Sequence, residues 1–421
     1  MNVTVFPSKL SGTVNIPSSK SFSHRYLIAA ALADGVSRIT NVTDSVDISA
    51  TVSALEAMGA EITVNGSEYI VRGISQAKRS AVIDCCESGS TLRFLIPVAS
   101  ALGISAEFIG RGKLPERPIT PYIREMSKKG VAFDYNSTMP FKTSGTLCAG
   151  EYLLEGDVSS QFITGLLFAL PLCSGDSVIK LMSRLESKPY ADMTVAVLKE
   201  FGVNIREANI DGQLIYLIRG NQSYKPTNGA VEGDFSQAAF FFTANALGSD
   251  IEITNLNKNS VQGDKKILEI LSEIGYNRRS KTEKERNGQL RPFTADAADI
   301  PDLVPILTVL GCFTSGKSEI VNAKRLKIKE SDRLAAIADA LNAIGGKVTA
   351  FDDRLEIMPV EVFVGGTVSG CNDHRIVMSA AIAATASSAP VTIIGAEAVN
   401  KSYPKFFEDF KALGGRAEFS E

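Results

Sequence analysis

The chain has 421 residues, 44% hydrophobic and 22% charged, the composition of a folded globular protein, which excludes a disordered, collagenous or coiled-coil chain. Its 44 Lys and Arg against 47 Asp and Glu leave a net charge of −3, so no global basic field points to nucleic acid. Six cysteines without a Cys-x-x-Cys pair suit a reducing compartment, and two histidines, His24 and His374, are too few for a multi-histidine metal centre.

The first ten residues carry Pro7 and Lys9 and no apolar core, so no secretory signal is expected and the protein is read as cytoplasmic. A strand is predicted at Val3–Phe6, a helix at Ser23–Ala33 and a strand at Arg38–Asn41. Then comes an amphipathic helix over Thr51–Met58, a turn at Gly59 and a strand at Glu61–Val64. Further helices are predicted at Ser90–Ala101, Ser160–Leu170, Phe235–Ala246, Asp332–Ile344 and Arg375–Ala384. Further strands are predicted at Ser177–Leu181, Leu214–Arg219, Asp250–Thr254, Ser318–Val321 and Val391–Ile394. The apolar run Phe162–Cys173 is too short to span a bilayer. Ile376–Ile394 is rich in small and hydroxyl residues and is broken by Pro390, so both are expected as buried helices with adjoining segments.

The helix–Gly–strand pattern recurs at Gly130, Gly202, Gly275, Gly345 and Gly414, at intervals of about 70 residues. A glycine can take the left-handed conformation that ends a helix and turns the chain back into a strand. Six such turns predict six repeated units, each with room for about two helices and several strands, arranged as two domains of three. The polar stretch Asn221–Gly229, with Pro226, is the expected linker.

Several motifs carry chemistry. Pro17-Ser18-Ser19-Lys20-Ser21-Phe22-Ser23-His24-Arg25 sets hydroxyls and two cations at a helix start, where free N–H groups favour an anion, although an ordinary helix cap reads the same way. Glu87-Ser88-Gly89-Ser90-Thr91-Leu92-Arg93 and Asp157-Val158-Ser159-Ser160-Gln161 are two more hydroxyl-rich helix starts. Arg111-Gly112-Lys113-Leu114-Pro115-Glu116-Arg117-Pro118 is a basic loop held by two prolines. Lys324–Arg333 mixes cations with carboxylates, Asn372-Asp373-His374-Arg375 precedes a helix, and Asp302 stands beside Pro301 before an apolar run.

Together these segments resemble the EPSP synthase family (3-phosphoshikimate 1-carboxyvinyltransferases). The resemblance runs from Lys9 to the C-terminus. It rests on Lys20-Ser21-x-Ser23-x-Arg25, Gly89-x-Thr91-x-Arg93, Glu116-Arg117-Pro118, Ser159-Ser160-Gln161, Ser187-Lys188-Pro189-Tyr190, Lys329-Glu330-Ser331-Asp332-Arg333 and Asp373-His374-Arg375 in the family order. It implies an α/β (α+β) fold, a two-domain inside-out α/β barrel of six βαβαββ repeats. The first domain would span 15–226, the second 1–14 plus 227–421, with the N-terminal strand crossing over and the active site in the interdomain cleft.

The implied reaction transfers the enolpyruvyl group of phosphoenolpyruvate to the 5-hydroxyl of shikimate 3-phosphate by addition and elimination, on the route to chorismate and the aromatic amino acids. By resemblance, Lys20, Ser21, Arg25, Ser159, Ser160, Gln161 and Ser187 hold shikimate 3-phosphate, with Asp302 and Lys329 touching it. Arg117, Arg333 and Arg375 clamp phosphoenolpyruvate with Lys20, Gly89, Gln161 and Lys401. Asp302 is the expected acceptor of the hydroxyl proton with Lys329 beside it, and Lys20 and Glu330 both stand as candidates for proton transfer at C3. His374 is read as positioning Arg375. Ser18, Glu87 and Arg325 depart from residues common in the family. No cofactor, metal, nucleic acid or membrane partner is implied, and a monomer is expected. The competing readings are the sister transferase acting on UDP-N-acetylglucosamine, which usually carries a Cys in the loop matching Arg111–Pro118, and a non-catalytic phosphometabolite-binding protein.

Overall fold

The computed structural model describes residues 1–210, 212–276 and 289–420. All six repeat glycines have positive φ, between 79° at Gly202 and 120° at Gly59, the conformation that favours glycine. Each follows a helix or a 3-10 turn; five lead into strands that begin at Glu61, Val131, Ile205, Lys347 and Ala417, and the strand expected after Gly275 lies outside the described residues.

The described residues form two units, Ser18–Glu232 and Met1–Pro17 with Gly233–Glu421. In the first, strand Ser80–Asp84 lies parallel to Ser105–Ile109 across helix Gly89–Ala101. Helix Thr120–Met126 then leads to the hairpin Val131–Asp134 and Phe141–Gly145, whose second strand pairs with Ser105–Ile109. This is one βαβαββ unit closed into a four-stranded sheet. The next repeats it with strands Glu151–Leu154, Ser177–Leu181, Gln213–Ile218 and Ile205–Ile210 in sheet order. The remaining sheet of this unit takes its outer strand from far along the chain: Gly229–Ala230 pairs with Ile39 and Thr40.

The second unit borrows strands in the opposite sense. Ser11–Asn15 pairs in parallel with Asp250–Thr254, and Asn2–Val5 lies antiparallel between Val391–Ile394 and Ala417–Ser420. Another four-stranded sheet contains Thr294–Asp296, Ser318–Val321, Leu355–Met358 and Lys347–Ala350. These pairings put the unit boundaries at Pro17/Ser18 and Glu232/Gly233, a few residues beyond the 14/15 and 226/227 positions expected from sequence. Gly229–Ala230, assigned there to the second domain, is a strand of the first unit's sheet.

The helices that fill the cores are buried nearly all round. Lys20–Leu32, Gly89–Ala101 and Ser160–Ala169 do so in the first unit, and Phe235–Ala246, Val304–Gly311 and His374–Thr385 in the second. Five of the six begin at a side-chain cap: Ser19, Ser88, Ser159, Asp234 and Asp373. Among the described residues, no helix is long and apolar enough to cross a membrane. Phe162–Cys173 lies in a helix and its 3-10 extension, and Ile376–Ile394 splits into a helix ending at Thr385 and a strand from Val391.

Candidate active site

Within each unit several motif residues stand at or beside helix N-termini, as do Lys20, Gly89, Ser160, Arg333 and Arg375, where free N–H groups and the helix dipole favour anions. In the unit Ser18–Glu232, Lys20 opens the first core helix and its Nζ donates to Asp47 Oδ2 at 2.8 Å. The turn before it is tied down by Ser18. Ser18 Oγ donates to Thr43 Oγ1 and accepts from Thr43 N, both at 2.7 Å, so two adjacent links join the segments carrying Lys20 and Asp47. This gives the Ser18 departure a structural purpose.

One turn on, Arg25 is 2% exposed. It donates from Nε to Thr194 Oγ1 and from its Nη atoms to the carbonyls of Ser21 and Tyr190, and its guanidinium lies 5.2 Å from the Phe94 ring centre. Burial lowers the guanidinium to about 9, which still leaves it charged at neutral pH. His24, fully buried, is pushed well below its ordinary value by burial and then by Lys20 and Arg25, so it is neutral. Its Nδ1 starts a chain through Thr51 Oγ1 and Thr91 Oγ1 to Ser88 Oγ, which caps helix Gly89–Ala101.

Gly89, Arg93, Arg117 and Gln161 come together at that cap. Arg93 Nη1 donates to Gln161 Oε1 at 2.7 Å, and Gln161 Nε2 donates to Ser90 Oγ at 3.1 Å. A Cβ at Gly89 would sit 2.8 Å from Arg117 Nη1 and 3.4 Å from Gln161 Oε1, so only glycine admits this approach. Glu87 lies against Gly112 in the basic loop, where a Cβ on that glycine would meet its carboxyl carbon at 2.6 Å. Ser159 caps helix Ser160–Ala169 and Ser160 is buried in its first turn. Ser187 precedes helix Lys188–Glu200 with φ 57° and ψ 38°, a left-handed conformation that strains a serine and that persists where the surroundings enforce it.

The other unit holds the carboxylates. Arg333, 2% exposed, donates from Nε to Asp373 Oδ2, from Nη1 to Asp302 Oδ1 and from Nη2 to Glu330 Oε2, at 2.8, 2.8 and 2.7 Å. Burial works against its charge, but Asp373, Glu330 and Asp302 outweigh that and hold it well above its ordinary value. Arg375 donates from Nη2 to Asp302 Oδ2 at 2.7 Å and to Ser236 Oγ at 3.2 Å, and from Nη1 to the Asp302 carbonyl at 3.2 Å. Burial would raise Asp302, but Arg375, Arg333 and Lys329 reverse this and hold its carboxyl far below the usual carboxylate range.

Lys329 is lowered to about 7, first by burial, with Arg325 and Arg333 adding to it against the pull of Asp302. Lys401 Nζ donates to the Asn372 carbonyl at 2.7 Å. Arg325, buried, donates to the Ala298 carbonyl.

Asp302, Lys329, Glu330, Arg333 and Arg375 therefore form one network, and Gly89, Arg117 and Gln161 form another. The sequence reading missed three residues. Arg93 and Asp373 stand inside motifs already singled out, yet nothing local tells that Arg93 orients Gln161. Asp373 binds Arg333 and also caps Arg375 through its N–H at 3.0 Å, a positioning role that the sequence reading gave to His374. Asp47 had no sequence signal: it precedes the predicted helix Thr51–Met58, and the structure starts that helix at Val46, with Asp47 in its first turn.

The model of the EPSP synthase (3-phosphoshikimate 1-carboxyvinyltransferase) family matches residues 6–410. A 3-phosphoshikimate 1-carboxyvinyltransferase of Clostridium beijerinckii is 43% identical over 98% of each chain, and one of Clostridium kluyveri is 44% identical over 99% of this chain and 98% of its own. Among solved structures, EPSP synthase from Acinetobacter baumannii superposes with a TM-score of 0.82 over the full length of both chains at 24% identity. The enolpyruvyl transferase NikO from Streptomyces tendae superposes at 0.79 over 100% of this chain and 98% of its own, at 18% identity.

Proposed function

The chain belongs to the EPSP synthase (3-phosphoshikimate 1-carboxyvinyltransferase) family, and on that premise we propose how its own residues divide the reaction. It transfers the enolpyruvyl group of phosphoenolpyruvate to the 5-hydroxyl of shikimate 3-phosphate and releases phosphate, a step of aromatic amino acid biosynthesis. The two substrates bring two phosphates and two carboxylates, so charged donors in a dry setting are what the chemistry needs.

In our reading, Ser159, Ser160, Ser187, Ser21, Arg25 and Lys20 hold shikimate 3-phosphate, with Gln161 on the ring hydroxyls. Arg117, Arg333, Arg375 and Lys401, with Gly89 admitting close approach, hold phosphoenolpyruvate, because guanidinium forks match carboxylate and phosphate. Asp302 takes the 5-hydroxyl proton as the oxygen attacks C2, while an acid protonates C3. The resulting tetrahedral ketal loses that C3 proton and expels phosphate. Glu330, paired with Arg333, is a carboxylate and suits removal of the proton. Lys20, paired with Asp47, is a cation and suits its delivery. The roles draw on both units: most shikimate 3-phosphate contacts lie in Ser18–Glu232, whereas the phosphoenolpyruvate contacts are divided between Gly89 and Arg117 there and Arg333, Arg375 and Lys401 in the other unit. The enzyme works in the cytoplasm as a monomer without a cofactor.

The observation that carries this assignment is Asp302, a carboxylate held between two buried arginines and a lysine lowered to about 7. Phosphate release by the purified protein should require both phosphoenolpyruvate and shikimate 3-phosphate, and UDP-N-acetylglucosamine should not replace the latter. Asp302→Ala should slow turnover by about 10²–10⁴, the usual loss with a general base. Near-normal turnover of that variant overturns the assignment.

A further inference from the structure

Both arginines assigned to phosphoenolpyruvate are covered by protein groups. The Arg333 side chain is 2% exposed and that of Arg375 5%, whereas Asp302, which both of them bind, is 18% exposed. The paired Nη1 and Nη2 atoms of Arg375 form the edge that grips a carboxylate in bidentate fashion. Here Asp302 takes that edge with its main-chain carbonyl and with Oδ2. Arg333 is committed as well, to Asp302, Glu330 and Asp373. An anionic ligand thus cannot receive the Nη edge of Arg375 while Asp302 keeps it.

Asp302 has the opposite difficulty. A carboxylate that accepts from a guanidinium group on each oxygen has its negative charge stabilised by both, and is a weak acceptor for an alcohol proton. The groups that face it are Arg375, Arg333 and Lys329, which deepen this, and Glu330, which opposes it.

We propose that phosphoenolpyruvate switches the base on by partner exchange: its anionic group takes the Nη edge of Arg375 from Asp302, and the released Asp302 carboxylate becomes the proton acceptor for the 5-hydroxyl. The proposal rests on the reading of Asp302 as base and Arg375 as phosphoenolpyruvate clamp. The exchange links the two roles physically. Until the second substrate arrives, Asp302 neutralises the arginines and stays inert. Once it arrives, Arg375 has the ligand as its anionic partner, Arg333 keeps its own, and Oδ2 of Asp302 is freed to accept. A ligand shifts such an equilibrium only through its greater affinity for the exchanged state, so the affinity measured for phosphoenolpyruvate is reduced by the free energy of displacing Asp302.

The test is direct. Asp302→Asn keeps the shape and removes the competing charge. Its affinity for phosphoenolpyruvate, measured by calorimetry with a 5-deoxy analogue of shikimate 3-phosphate saturating so that no reaction follows, should be about tenfold tighter than that of the unaltered enzyme, while turnover with the true substrate collapses. Glu330→Gln is the control. It removes an equal charge from Arg333 and leaves Arg375 bound to Asp302, so it should tighten phosphoenolpyruvate several-fold less. Unchanged or weaker binding in Asp302→Asn, or equal tightening in both variants, overturns the exchange even with turnover lost, since the base assignment would still stand. Retained turnover in Asp302→Asn overturns the base assignment and the proposal built on it. Circular dichroism and shikimate 3-phosphate affinity verify that each variant is folded. If Asp302→Asn does not fold, Asp302→Ser in the same assay must show the same tightening, and its absence there counts against the exchange.

Discussion

Asp373 binds both of the arginines proposed to hold phosphoenolpyruvate, Arg333 and Arg375, and replacing it by asparagine should disable them. Its side chain is fully buried and accepts on both oxygens: Oδ2 from Arg333 Nε at 2.8 Å and Ser331 Oγ at 3.1 Å, Oδ1 from Arg375 N at 3.0 Å. Asparagine has the same shape but only one oxygen. Whichever way its amide turns, an N–H faces another donor, either Arg333 Nε or the Arg375 N–H. Losing a hydrogen bond to a charged group removes about 1.5–3 kcal/mol, and breaking a buried pair from one side about 3–5 kcal/mol. Arg333 keeps Asp302 and Glu330, so the loss falls near the lower end, at roughly 3 kcal/mol. Hydrogen exchange followed by mass spectrometry localises the effect. Protection of helix His374–Thr385 should fall by roughly 10²-fold, while helix Gly89–Ala101 in the other unit keeps its protection. The displaced arginines should lower kcat/KM for phosphoenolpyruvate by about 10²-fold with shikimate 3-phosphate affinity unchanged. A change in protection below about threefold would refute the claim that Asp373 organises this network.

Replacing Ser159 and Ser160 together by Ala should weaken shikimate 3-phosphate by about 1.5–3 kcal/mol per lost charged hydrogen bond, with a much smaller effect on shikimate; equal losses in calorimetry would remove the phosphate role. Lys329, lowered to about 7 chiefly by burial, binds fewer protons in the native than in the unfolded chain between about pH 7 and 10.5, so its contribution to stability rises with pH across that window. Urea midpoints measured from pH 6 to 10.5 should show this slope in the native enzyme and not in Lys329→Met. If turnover needs the ammonium form, kcat falls above about pH 7 and Lys329→Arg abolishes that limb. His24 has the same linkage lower on the scale: buried neutral, it makes stability fall as pH drops below its ordinary value of 6.5, and His24→Gln should flatten that decline in thermal unfolding.

The repeat was legible in the sequence because it depends on a local steric fact. A residue that must hold φ near +90° between a helix and a strand is glycine nearly every time, and the six positions found by spacing all hold it. The helix starts were legible for the same reason, since Ser and Asp cap the backbone within two or three residues. The borrowed strands follow no local rule. Nothing in Gly229–Ala230 says that it pairs with Ile39–Thr40, so the second boundary was placed a few residues early.

Within the site, the difference between what was read and what is found is electrostatic. The motifs nominated Lys20, Arg25, Arg117, Asp302, Lys329, Arg333, Arg375 and Lys401 as substrate contacts and assigned none of them an ion-pair partner within the protein. Buried charges without substrate must still be neutralised, because an unpaired ion in a dry interior is too unfavourable to persist. Lys20 therefore binds Asp47, and Arg333 binds Asp302, Glu330 and Asp373. These pairs join residues as far apart in sequence as Asp302 and Arg375, so no spacing rule could reveal them. They also bear on mechanism. If residues that grip the substrate grip one another first, binding is an exchange of partners, and the groups that lose a partner are those whose proton affinity changes. In the proposed exchange Asp302 gives up Arg375 and becomes more basic, whereas a carboxylate such as Asp373, with its own bonds to Arg333 and Ser331, holds the frame fixed.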